Sequence, residues 1–112
     1  MSLNTLVEIC GGDKTFILEM IDLFLAQADP QVDEIEKAIK EKDCGNLKRS
    51  AHKFKSSAQL FEITCLVELL LQIESSGLKE LEEKEKKIII KKVRDISKLA
   101  CHQIKEDRKN YI

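Results

Sequence analysis

From Lys14 to Ile104, apolar residues return every three or four positions, and the residues that break such a rhythm are scarce: four glycines and one proline in 112 residues. That spacing stacks apolar side chains on one face of an α-helix, whereas a half-buried strand needs strict alternation. The chain is therefore bound to pack helices against one another. Charged residues at 35%, aromatics at 4% and no tryptophan fit the same all-α class. At this length one domain, residues 1–112, with one core is expected.

The segments follow from the interruptions. Residues 2–10 form a short helix with Leu3, Leu6, Val7 and Cys10 along one side, stopped by Gly11-Gly12. Asp13 caps the next helix, KTFILEMIDLFLAQA, whose expected core stripe is Phe16, Ile17, Met20, Leu23, Phe24 and Ala28. Asp29-Pro30 marks a boundary where a helix restarts or bends, because Asp caps and Pro tolerates the first helical position. Val32, Ile35, Ala38 and Ile39 carry the face on to about Lys42, and KDCGN breaks it. Asp43 then caps a helix over 44–60, with Leu47, Ala51, Phe54, Ala58 and Phe61 on its inner side. A helix over 63–75, apolar around most of its circumference, ends at Ser75-Ser76-Gly77. The last helix, 81–109, offers Ile89, Val93, Ile96, Ala100 and Ile104. Short loops between such helices predict an antiparallel four-helix bundle with the short N-terminal helix packed across it.

The bulk chemistry excludes several roles. Nineteen basic residues against 20 acidic ones leave no global field to draw the chain onto nucleic acid or an anionic membrane, so any basic site is local. The longest apolar run, LVELLLQI, is too short to span a bilayer, and the first residues lack the basic start and apolar core of a signal peptide. The expectation is a cytoplasmic monomer with no membrane and no nucleic-acid partner. Cys10, Cys44, Cys65 and Cys101 are widely spaced, without a Cys-x-x-Cys pair, and read as reduced thiols.

One stretch does not serve packing. In RSAHKFKSSAQLF, His52 falls away from the apolar stripe, among Lys48, Arg49, Lys55, Ser56 and Gln59. On its own, an exposed histidine on a lysine-rich helix is ordinary surface. Its chemistry is nonetheless specific. An imidazole in water titrates near ~6.5, so its neutral form has a ring nitrogen free to attack a phosphoryl group. Lys55, three residues on, lies within about 5–6 Å at the Cβ level and is placed to counter the charge transferred. Small neighbours, Ser56, Ser57 and Ala58, leave room for the protein that brings the phosphoryl donor.

AHKFKSSAQLFEITCLVELLLQIES resembles the signature of histidine-containing phosphotransfer (HPt) domains. An Ala-His pair is followed by an apolar residue, a lysine three after the histidine, small residues, and a leucine-rich helix. Ala51, His52, Phe54, Lys55, Ser57 and Leu66 match this pattern, and GGDKTFILEMIDLF and Asp43 match upstream features. The chain departs from the family at two glycines, carrying Ser56 four residues after the histidine and Glu62 near the helix end.

The resemblance implies that His52 takes a phosphoryl group from a receiver-domain aspartate and passes it to another receiver, with Lys55 stabilising the phosphohistidine. Gln59 would orient the ring or bond the phosphate. It further implies a phosphocarrier without its own ATP site, binding no cofactor, with Mg²⁺ held by the partner receiver. Partners would be response-regulator receivers or a hybrid sensor kinase, docking on Lys48, Arg49 and Ser56 and on Leu3, Leu6 and Val7.

The phosphoacceptor hairpin of a sensor kinase fits less well, because that family places an acidic residue after its histidine and then a proline, where this chain has Lys53 and KSSAQ. A metal site is not expected: His102 has Leu99 and Lys105 three residues away on either side. A plain helical interaction module stays open as the alternative; acid-labile phosphate on the protein separates the two.

Overall fold

The computed structural model describes all 112 residues. Five α-helices form: α1 (Asn4–Ile9), α2 (Lys14–Lys40), α3 (Cys44–Leu60), α4 (Thr64–Ser76) and α5 (Glu83–Arg108), with a final 3₁₀ turn at Lys109–Tyr111. The fold is the expected all-α bundle, and α2 to α5 build it.

The boundary expected at Asp29-Pro30 is absent, since α2 runs unbroken through Pro30 for 27 residues. An interior proline forfeits one backbone bond and costs about 3 kcal/mol. Val32, Ile35 and Ile39 beyond it are buried in the same core as Ile21, Phe24 and Ala28 before it. Each fully buried side chain of that size contributes about 1.5–3 kcal/mol, so continuity wins. Pro30 itself faces solvent.

Helix ends are set by two-bond C-terminal turns. At the end of α2, Lys42 N–H donates to Ile39 O at 3.2 Å and Asp43 N–H to Ala38 O at 3.0 Å. At the end of α3, Glu62 and Ile63 repeat the pattern onto Gln59 O at 3.1 Å and Ala58 O at 3.0 Å. Such turns need a left-handed residue, commonly glycine, and here it is Lys42 at φ 56 and Glu62 at φ 53. Asp43 also starts α3, where its carboxylate accepts the Asn46 N–H at 3.1 Å, so α2 and α3 reverse direction within residues 41–43.

The helices form a ring in chain order, α5 closing on α2. Arg94 meets Asp33 at 2.8 Å and Arg108 meets Asp22 at 2.7 Å, so α5 ascends as α2 descends. Phe54, Leu66, Leu70, Ile73, Val32, Ile35, Val93 and Ile104 fill the interior. The Phe24 ring lies 6.2 Å from Phe54 and 4.6 Å from Phe61.

The buried sectors of α2 and α5 differ from the expected stripes. On α2, Phe16 and Leu23 are 43% and 48% exposed, Met20 is half-buried, and Ile17, Ile21, Phe24 and Ala28 face inward. Apolar residues there cover over half the circumference, so spacing alone cannot select the inward sector. On α5, Ile90 and Ser97 are buried where Ile89 and Ile96 were expected; three successive isoleucines, 88–90, carry no phase.

Both α2 and α5 extend past the α3–α4 turn, and α1 fills the space left there. Leu3, Leu6 and Cys10 join the core, Ser2 N–H donates to Phe61 O at 3.4 Å, and Thr5 Oγ1 donates to Glu62 at 2.8 Å. This corrects the docking role expected of α1. Leu6 is fully buried, Leu3 is 9% exposed and Val7 half-buried, so they cap the bundle and offer a partner little surface. No helix is long and apolar enough to cross a membrane. All four cysteines are free thiols; Cys10 is buried, Cys44 and Cys101 half-buried, Cys65 exposed.

Candidate functional site

His52 sits mid-way along α3, about a third of a turn from the buried Leu47/Ala51/Phe54/Ala58 line, on the side facing α4. Its side chain is 62% exposed, yet the ring is not free. Nδ1 lies 2.9 Å from Glu74 Oε1 on α4, and the second oxygen of the same carboxylate lies 2.6 Å from Lys55 Nζ. The lysine approach is a charge contact rather than an aligned hydrogen bond. Glu74 thus bridges the histidine and the lysine.

Burial is graded across the three. Lys55 is 13% and Glu74 26% exposed, beneath the open imidazole. The Lys55 ammonium first and the His52 ring second hold the Glu74 carboxyl below the usual range, so it is ionised at neutral pH. An ionised carboxylate only accepts hydrogen bonds, so Nδ1 must carry the proton. Nε2 is then the unprotonated nitrogen of the neutral ring, with its lone pair directed away from Glu74.

Around this centre the expected neighbours divide. Ser56 is exposed, and its hydroxyl donates back to the His52 carbonyl at 3.1 Å. Arg49 is exposed and donates to Asn46 Oδ1 at 2.6 Å. Lys48 is half-buried and lays its stem over Gly77. Gln59 is not brought to the ring; it lines a separate cleft with Glu62, Thr64, Val67 and Glu68. The side chain that does contact the ring is Glu74.

Glu74 carried no local signal, being 22 positions from His52 and on another helix. Reflecting the chain about the α3–α4 turn would have found it, because antiparallel pairing around residues 61–63 sets His52 opposite this part of α4. His102 offers an internal comparison. It is exposed and flanked by Lys98 and Lys105 at the same −4 and +3 positions that Lys48 and Lys55 occupy around His52, but no carboxylate bonds its ring. Lysines at helical spacing are common to both histidines, and the cross-helix carboxylate marks only His52.

The bundle thus presents one open histidine whose ring is held by a carboxylate from the neighbouring helix. The family model of the Hpt domain matches residues 19–106, and the chain belongs to that family. Members work as phosphocarriers rather than enzymes, passing phosphoryl groups through histidine in phosphorelays with receiver domains. No curated protein and no solved structure matches the chain. The matched span begins within α2, so α1 lies outside it.

Proposed function

We propose that His52 is the phosphoacceptor of this phosphocarrier, and that Nε2 takes the phosphoryl group from a receiver-domain aspartyl phosphate. The observation that carries the reading is the 2.9 Å contact from Nδ1 to Glu74 on a ring whose other nitrogen faces solvent. In the forward step the Nε2 lone pair attacks phosphorus. The N–P bond forms as the acyl P–O bond breaks, and the receiver's aspartate leaves as a carboxylate. Positive charge develops on the ring and is felt at Nδ1–H, where Glu74 is already aligned to stabilise it. The reverse of the same step delivers the group to a second receiver, whose Mg²⁺ and acidic pocket supply the rest of the chemistry.

Lys55 acts through Glu74 in this scheme. Its ammonium is engaged on the carboxylate beneath the ring, keeping that group ionised and fixed. Docking centres on the outer face of α3. Ser56 keeps the approach to His52 low, and α3 exposes Arg49 and Lys53, with Lys48 half-buried beside them and no carboxylate on the helix, which suits an acidic receiver pocket. Leu71, 50% exposed on α4 one turn before Glu74, and Leu23 on α2 supply apolar contact in place of the α1 residues. The donor receiver is a separate protein or part of a hybrid sensor kinase.

Long-range ¹H–¹⁵N spectra of the His52 ring test the assignment. A protonated Nδ1 and an unprotonated Nε2, with phosphorylation moving the Nε2 resonance, is the expected result; phosphorylation at Nδ1 would remove the role given to Glu74.

A further inference from the structure

At the end of the bundle where α3 begins, the α2–α3 turn and the α4–α5 connection enclose a cleft of about 190 Å³. Its floor is apolar, made by Ala38, Ile39 and Leu47, and its rim carries Lys42, Lys79 and Lys86; no carboxylate lines it. These three lysines come from three separate segments: the α2–α3 turn, the α4–α5 connection and α5. A run along one helix would be a solvated face; convergence from three segments on one concavity is a different arrangement.

Two features of the rim bear on what the cleft can hold. Lys86 is only 16% exposed, and its one counter-ion, the 62% exposed Glu83, stands off at 3.5 Å. One exposed carboxylate at that distance is a weak partner and leaves the ammonium able to take a second anion. Lys42 holds the left-handed position that ends α2, at φ 56, where glycine or asparagine sits without strain. The chain keeps a lysine there, and that lysine lines the cleft.

We propose that this cleft binds a small organic anion, with its phosphate or carboxylate on Lys42, Lys79 and Lys86 and its apolar body over Ala38, Ile39 and Leu47. The volume is below the roughly 300–1,000 Å³ of pockets for drug-sized ligands, which limits the occupant to about one ring with an acidic group and excludes a nucleotide. The site does not depend on the role of His52, and its failure would leave phosphotransfer untouched.

Phenyl phosphate is the probe, followed in ¹H–¹⁵N spectra of the full chain. Saturable shifts confined to the amides of Lys42, Cys44, Gly77 and Lys79 are expected. Inorganic phosphate and phenol, each offering half of the recognition, should bind more weakly than phenyl phosphate. Lys42→Gly removes an ammonium while relieving the backbone, and Lys86→Met keeps the packed stem without the charge; each should weaken binding about tenfold, the equivalent of one charge-assisted hydrogen bond. Absence of saturable shifts at these amides overturns the proposal, as does unchanged affinity in both variants. Inorganic phosphate binding as tightly as phenyl phosphate overturns the apolar half of it.

Discussion

Gly77 closes α4 three residues after Glu74, in the left-handed conformation at φ 65, against the start of α3. A methyl group added there would stand 2.5 Å from Cys44 Sγ and 3.1 Å from Lys48 Cε. Two costs then add. Holding an alanine left-handed costs about 1–2 kcal/mol. Pressing it into a thiol fixed on the first turn of a packed helix costs about 1–3 kcal/mol, while the lysine stem can swing aside. Gly77→Ala should therefore destabilise the protein by about 2–5 kcal/mol. In a chain of 112 residues 1 kcal/mol moves the thermal midpoint by about 4 °C, so circular-dichroism melts should show a fall of about 8–20 °C. Cys44→Ala in the same chain removes the overlap but not the backbone strain, and should return about 4–12 °C of the loss. The reasoning fails if Gly77→Ala melts within about 4 °C of wild type, or if the double variant is no more stable than the single.

Other perturbations probe the site itself. Glu74→Ala should slow phosphotransfer at least about 10–100-fold, the loss typical when the carboxylate behind a metal-binding histidine is removed, whereas Glu74→Gln keeps an acceptor for Nδ1–H and should lose less; equal rates for wild type and Glu74→Ala in a rapid-quench assay would show the carboxylate to be a bystander. Asp22, Glu62 and Glu74 all have carboxyl groups held below their ordinary range, by Arg108, Thr5 and Lys55 respectively as the leading causes. Folded values below unfolded ones mean stabilisation that is complete above the ordinary carboxylate range and lost as pH falls through the lowered values. The melting midpoint should hold from neutral pH to about 5 and drop below about 4, and a midpoint that rises on acidification would contradict those contacts. Ser56→Trp should preserve the melting curve, because the residue is exposed, and abolish receiver binding in a titration; an unchanged binding curve would move the docking face elsewhere.

What could be read from the chain depended on how local the determining contact was. The helices, the caps at Asp13 and Asp43 and the inner line of α3 rest on residues within one or two turns, and spacing reveals those. The course of α2 through Pro30 does not, because it is decided by burial of Val32, Ile35 and Ile39 against other helices. Apolar surplus hid the inward sectors: seven apolar residues from Phe16 to Phe24 gave a stripe too broad to orient. The same surplus made Leu3 and Leu6 look available to a partner when they were needed to cover the ends of α2 and α5. At the site, the motif pointed to the histidine and the lysine by position, but the group joining them lies on another helix. Glu62 illustrates a further limit. At the position where the family favours glycine, the residue adopts the left-handed angle that glycine would and spends its side chain on Thr5, a compensation visible only once α1 is in place.

The most direct measurement is phosphoryl transfer from a phosphorylated receiver domain to this chain, with His52→Gln and His102→Gln run beside the wild type. The account predicts label that is stable in base and lost in acid, carried by wild type and His102→Gln and missing from His52→Gln, with the His52→Gln fold intact because the side chain it replaces is exposed. Acid-labile label of undiminished amount on His52→Gln would contradict the assignment of His52 as the phosphoacceptor.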